Sequence, residues 1–576
     1  MVEPNAQIGN FLIRREGPSG SGRRAPTASR LARFGSPVVL ALLFWWFQGR
    51  YGFNPTDDGF VLAQSWRLLH GEIPHVDFTS PRPLGSAILH LPEVLLPWGT
   101  LAFSRLLVTF QLVWVAIATV DLFPTVRERS VLERLSLVTI AFLLAVGTWP
   151  LMAWHTIDGI FIGVTVLWLA MREAPRSRWR HVQWGGLWLL AGFAPLVKQG
   201  FVIVPVLAAM VLIAQRRWAA LRYAPVGAVP GALYLLFTAA TPGGLLRQLY
   251  SGSARELLRP LKTLMYTVIG TNGLIVLVGV VAAVLLLRLG RRPRGINVAL
   301  AIGLVTGPTL LLGRAESFSL GGSLPYVAVI TVLALAGLLV RDVRRLAVVV
   351  ALLGLAYSAS MSWGVPAPSL LVGPLVVCAI MLVLEEGTTL SSGLLDRRAV
   401  LAAVLVLVVL VTVLVLQARS KFTYAELPRA GLSATVDDPR FAFILMSPQS
   451  SAYVEGVKQC IARHPASDVA VLPDGPGLYP LLGIHNPFEI DWWLNAEQSP
   501  DHPGRVDATI DALNARGDWL VLVQSYSLFE LPKLALDEVD DRGRPFAYTA
   551  ADKAILDRLN GESVECGSLS GEYMAP

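Results

Sequence analysis

Two adjacent aspartates, Asp57 and Asp58, open the stretch "DDGFVLAQSWRLLHGEIPHVDFTSPRP", which goes on to His75, Asp77 and Arg82. Carboxylates and imidazoles move protons, and a guanidinium holds anions. The apolar spacing after the pair (Phe60, Leu62, Ala63, Trp66, Leu69) predicts a helix lying along a membrane interface. Asp57 and Asp58 would stand at its N-terminal end, where the helix dipole favours a carboxylate. Capping therefore accounts for one acid, and the second is surplus to it.

The chain around this stretch is very apolar. Of its 576 residues, 54% are hydrophobic and 15% charged, against roughly 25% charged in ordinary soluble domains. The apolar residues fall in long runs such as "AVLAAVLVLVVLVTVLVLQ" (399–417), long enough to cross a bilayer as a helix. Spans are expected near 36–49, 103–123, 134–151, 156–171, 184–197, 200–214, 224–240, 267–287, 296–313, 323–340, 346–360, 367–384 and 399–417. The fold class is thus a polytopic α-helical membrane protein of about thirteen spans. A basic tail, 1–34, precedes a membrane domain, 35–417, whose first external loop is 51–102.

The formal net charge of +7 does not point to nucleic acid, because the arginines cluster between runs: "RREGPSGSGRR" (14–24), "REAPRSRWR" (172–180), "RLGRRPR" (288–294) and "RDVRR" (341–345). Alternating sides from a cytoplasmic tail puts these clusters inside and 50–102, 150–157, 197–200, 241–265, 314–322 and everything after 418 outside. After 418 charge and proline return. "DVAVLP" (468–473) and "DWLVLVQ" (518–524) read as buried strands, and 450–464 and 506–516 as helices, which predicts an extracytoplasmic α/β domain over 418–576. Cys460 and Cys566 lie in it and could pair; Cys378 lies in an apolar run.

The pattern Asp-acid-Gly, an aliphatic stretch, "LLHG", a proline, "DF" and a proline-rich turn resembles the first external loop of GT-C glycosyltransferases, in the branch of protein O-mannosyltransferases and lipid A aminoarabinose transferases. "AWHTIDG" (153–159), with His155 and Asp158, is similar to the family's second acidic loop, and "PLVKQG" (195–200) to its lysine-containing outer turn. "GRAESFS" (313–319) is similar to a late outer loop, with Ser319 where that loop often has asparagine. "VAVLPDGPGLYPLLGIHNP" (469–487) resembles part of the outer domain.

The resemblance implies an inverting transfer of a sugar from a polyprenyl-phosphate donor to a glycan, lipid or protein acceptor on the external face. It makes Asp57 the general base, with Asp58 and Asp158 orienting acceptor or base. Lys198, Arg82 and Arg314 would bind the donor phosphate, with Arg255, Arg259 and Lys262 as further cations. His75 and Asp77 would shape the loop, and His155 and Glu316 would contact substrate or support it. No metal site is expected, although a divalent cation is left open.

Plainer readings stand beside these. Lys198 at a span end can snorkel, Arg314 can pair with Glu316, Arg82 can be a solvated turn residue, and Asp158 can cap its helix. A lipid or solute transporter, or a non-catalytic glycolipid-binding subunit, would share the polytopic pattern.

Overall fold

The computed structural model describes residues 27–128, 130–147, 150–173, 178–238, 242–250, 261–262, 264–266, 271–289, 324–361, 369–389, 397–421, 423–493, 498, 502–524, 527–534, 555–567 and 569–576. Most of these are helical. The expected run at 296–313 lies outside the described residues, and the described residues of each other expected run are mostly helical. Helical state and the ability to span are separate properties. Among the described residues three helical segments are long and apolar enough to cross a membrane: Thr100–Val120, Val343–Ser360 and Leu401–Lys421. Shorter apolar helices include His155–Met171 and Val372–Glu385.

The largest core joins Thr100–Val120, Val131–Gly147, His155–Met171, Val343–Ser360 and Val372–Thr389. Arg397–Lys421 sits at its edge. On that helix Val406, Val409, Leu410, Val413 and Leu416 stay exposed, an apolar stripe suited to hydrocarbon and costly in water.

Four strands form one sheet near the C-terminus: β1 (Asp468–Leu472), β2 (Trp519–Gln524), β3 (Glu562–Cys566) and β4 (Leu569–Met574), in the order β1-β2-β4-β3. β1 and β2 are parallel, and β4 runs antiparallel to both of its neighbours. The helices Pro448–Arg463 and His502–Arg516 accompany the sheet. Cys460 on the first of these is bonded to Cys566 at the end of β3, with Cα atoms 5.7 Å apart; Cys378 is free and buried.

The helix Asp57–Leu69 differs from expectation. It does not lie with one face open, because most of its residues are buried. The C-terminal region covers it. The Gly477 amide donates to the Pro55 carbonyl (2.7 Å), and Trp66 Nε1 donates to the Ile484 carbonyl (2.9 Å). Arg67 grips Asp491 with Nε and Nη2 at 2.8–3.0 Å. A Cβ on Gly59 would stand 1.8 Å from Gly477 Cα. The glycine of the "DDG" triplet is thus a packing requirement: only a bare backbone lets the "DGPG" segment lie across the first helical turn.

Candidate functional site

The site begins with Asn54. Its Oδ1 accepts from the amides of Thr56 (3.1 Å) and Asp57 (2.8 Å), so Asn54 caps the helix. Asp58 completes the cap by accepting from the Asn54 amide at 2.9 Å. The same oxygen of Asp58 takes Arg105 Nη2 at 2.8 Å, and Arg105 also donates to the carbonyls of Gly49 (3.0 Å) and Gly52 (2.7 Å). Asp58 is therefore committed to holding the loop.

Asp57 is only 4% exposed and is not needed for the cap. Its Oδ2 accepts a hydrogen bond from the hydroxyl of Tyr424, just beyond the Arg397–Lys421 helix. Burial first, then the Asp57 charge, pushes the Tyr424 phenol above its ordinary range, so it stays a donor. A buried carboxylate oriented by a fixed donor can accept a proton at a defined place.

Phe60, one turn after Asp57, leads to a basic and aromatic cluster. Its ring lies 5.5 Å from Trp492, 6.1 Å from Trp154 and 5.8 Å from His155, and the Arg82 guanidinium stands over it at 5.4 Å. Arg82 is buried, which the plainer reading of a solvated turn residue did not expect. Lys198 is also buried, and its Nζ donates to Thr156 Oγ1 at 3.0 Å. A Cβ on Gly159 would come within 2.0 Å of the Phe201 ring, so the helix starting at His155 and the turn after Lys198 meet closely. That contact carries Lys198 to Thr156.

Burial, reinforced by Arg82, pushes the Lys198 ammonium down to about 7. Burial, then Arg82, Lys198 and His90, holds His155 well below the usual histidine range. His155 is 1% exposed, and neither ring nitrogen has a hydrogen-bond partner among the described residues. Buried polar groups are nearly always paired. A cluster of Arg82, Lys198 and an imidazole without a partner among the described residues offers donors that an anion with several acceptor oxygens could use.

Asp158 belongs to a different cluster. It accepts from Ser86 Oγ (2.7 Å) and Gln111 Nε2 (2.8 Å), and it faces His90 Nε2 at 3.1 Å. His90 Nδ1 in turn meets Glu93 at 2.6 Å. Despite complete burial, Asp158 and then Glu93 raise the His90 pKa well above its ordinary value, so it is a cation between two carboxylates. Nothing in the sequence marks this grouping except the His-x-x-Glu spacing at 90–93.

His75, at φ 65°, ties the loop inward through Nδ1 to Gln248 Oε1 (2.8 Å) and Nε2 to the Tyr234 hydroxyl (2.7 Å). Asp77 is exposed and accepts from the Ile73 amide at 2.6 Å. Arg314, Glu316, Arg255 and Arg259 lie outside the described residues. Lys262 is described and stands 5.8 Å over the Tyr266 ring. Among the described residues no group of three His, Cys, Asp or Glu side chains is placed to hold a metal ion.

No family model and no curated protein matches the chain. Among solved structures it is similar to ArnT from Cupriavidus metallidurans in the apo state, at 13% identity and a TM-score of 0.39, over 93% of this chain and 97% of that one. It is also similar to ArnT from the same organism bound to undecaprenyl phosphate, at 14% identity and a TM-score of 0.39, over 94% of this chain and 98% of that one.

Proposed function

We propose that this protein is a membrane glycosyltransferase that moves a sugar from a polyprenyl-phosphate donor to an acceptor on the external face. The observation that carries this reading is the juxtaposition on one short helix: a buried carboxylate, Asp57, one turn from the Phe60 ring that Arg82 covers beside Lys198 and His155. The resemblance of the 57–83 motif to the GT-C first external loop supports it from the sequence.

The acceptor hydroxyl attacks the anomeric carbon while Asp57 takes its proton. The bond from that carbon to the phosphate oxygen breaks, and its electron pair stays on the phosphate. One displacement of this kind inverts the anomeric centre. Arg82 and Lys198 meet the growing negative charge, and their burial makes each charge-assisted bond stronger than it would be in water. Tyr424 fixes the orientation of Asp57. Asp58, through Arg105, and Asp158, through His90, are positioning residues. Arg314 is a further cation proposed for the phosphate, with Glu316 supporting it. The α/β region lies on the same outer side and closes over the first loop.

The test is a lipid inventory with turnover. Protein extracted from its native membrane should carry a polyprenyl phosphate or its sugar conjugate, identified by mass spectrometry, and should release free polyprenyl phosphate in step with sugar transfer. Protein without such a lipid, inert towards every polyprenyl-phosphate sugar and nucleotide-free acceptor pair offered, would contradict the proposal.

A further inference from the structure

A second site is lined by side chains that take no part in this chemistry. Tyr51, Ser420, Arg429, Leu432, Ser433 and Leu445 line an open groove of about 730 Å³. The Arg429 guanidinium lies 4.1 Å over the Tyr51 ring and donates from Nη2 to the Tyr51 hydroxyl at 3.1 Å. It makes no ion pair among the described residues. Glu426, the carboxylate nearest in sequence, instead accepts from the amides of Ser447 and Leu427, both at 3.2 Å. A guanidinium fixed against an aromatic face, in a groove that Ser433 also lines, suits a phosphate.

Two observations say what delivers that phosphate. The exposed stripe Val406, Val409, Leu410, Val413 and Leu416 follows helical spacing, and Ser420 is its next member, four residues beyond Leu416. The apolar stripe therefore runs into the groove. The backbone that floors the groove also carries an aromatic band. Leu445 accepts from the Gly52 amide and donates to the Arg50 carbonyl, each at 2.8 Å. Next to them Arg50 covers Trp46 at 4.4 Å, and Phe443 meets exposed Trp98 at 4.8 Å. Exposed tryptophans with an arginine mark the headgroup level of a bilayer.

We propose that the Arg429 groove holds a lipid with an anionic phosphate headgroup, its acyl chains lying along the 406–416 stripe. The proposal does not depend on the glycosyl-transfer reading, because Arg429 has no part in that machinery.

Native mass spectrometry of the full chain in detergent, offered phosphatidylglycerol or phosphatidylcholine, tests it. Wild type should retain one phosphatidylglycerol in preference to phosphatidylcholine. Arg429→Gln should weaken that retention about tenfold, and Arg429→Lys should restore part of it. Ser433→Trp, at an exposed position lining the groove, should exclude both lipids while Arg429 remains. Retention unchanged in both Arg429→Gln and Ser433→Trp would overturn the site. Displacement of phosphatidylglycerol by millimolar inorganic phosphate alone would overturn the lipid as its occupant.

Discussion

One helix, His155–Met171, starts by contributing to two buried charge clusters that are built in opposite ways. Asp158 is fully enclosed, with partners for its carboxylate from Ser86, Gln111 and His90. His155, three residues earlier, is just as enclosed and has none among the described residues. The first cluster sets a raised-pKa histidine between two acids. The second crowds His155 and Lys198 with Arg82, and both groups are driven toward their neutral forms. A network whose charged groups find partners within the protein serves the fold. A cluster of cations at the same depth carries a desolvation cost that a bound anion would offset.

The comparison can be broken most sharply at His90. His90→Leu would leave Asp158 and Glu93 facing each other in the interior. Removing one partner of a buried ion pair costs about 3–5 kcal/mol, so the variant should unfold at markedly lower denaturant or temperature in detergent. Lys198→Met is the counterpart. It removes a buried amine without stranding an opposite charge, so stability should hold or rise. Donor affinity should fall by about 10–100-fold, the worth of a hydrogen bond to a charged group. If Lys198→Met were as destabilising as His90→Leu, the two clusters would be of one kind.

A smaller effect comes from pH. Lys198 is held at about 7 against an ordinary 10.5. Between those values the unfolded chain carries a proton on this lysine that the folded, empty protein does not. Stability of the empty protein should therefore rise with pH across that window, by at most about 1.4 kcal/mol per unit. Binding has the opposite sign. A donor phosphodiester keeps one negative charge throughout and needs the ammonium form, so affinity should fall as pH rises above 7, by up to about tenfold per unit. Lys198→Arg stays charged and should flatten both profiles. A pH-independent donor affinity in the wild type would remove Lys198 from the phosphate.

How much of this could be read in the sequence depends on how far apart the partners lie. The apolar runs, and the strands at 468–473 and 518–524, declare themselves because each is a continuous buried stretch. β3 and β4 (ESVEC and LSGEYM) are polar and partly exposed and carry no such signal. The surplus of acids at 57–58 was legible, but their division of labour was not. It rests on Asn54 supplying the cap and on Arg105 reaching Asp58 across 47 residues. Tyr424 meets Asp57 across 367 residues, and only the closed fold brings them together. Lys198 was legible as an outer-turn cation by resemblance. Its company could not be read, because the burial of Arg82 and of His155, without a partner among the described residues, follows from tertiary packing. The Cys460–Cys566 pairing was open for the same reason, since no spacing rule fixes a gap of 106 residues.

The central claim is that Asp57 is the base and that Arg82 and Lys198 hold the donor. The most direct measurement is single-turnover sugar transfer from a polyprenyl-phosphate sugar by purified, folded Asp57→Asn, with donor binding measured on the same preparation. The amide keeps the size of the carboxylate and can still accept the Tyr424 hydrogen bond, but it has lost nearly all basicity. Turnover should fall by about 10²–10⁴-fold, the usual worth of a general base, while donor affinity stays within a few fold of wild type. Transfer at close to the wild-type rate would contradict the account and reduce Asp57 to a structural partner of Tyr424.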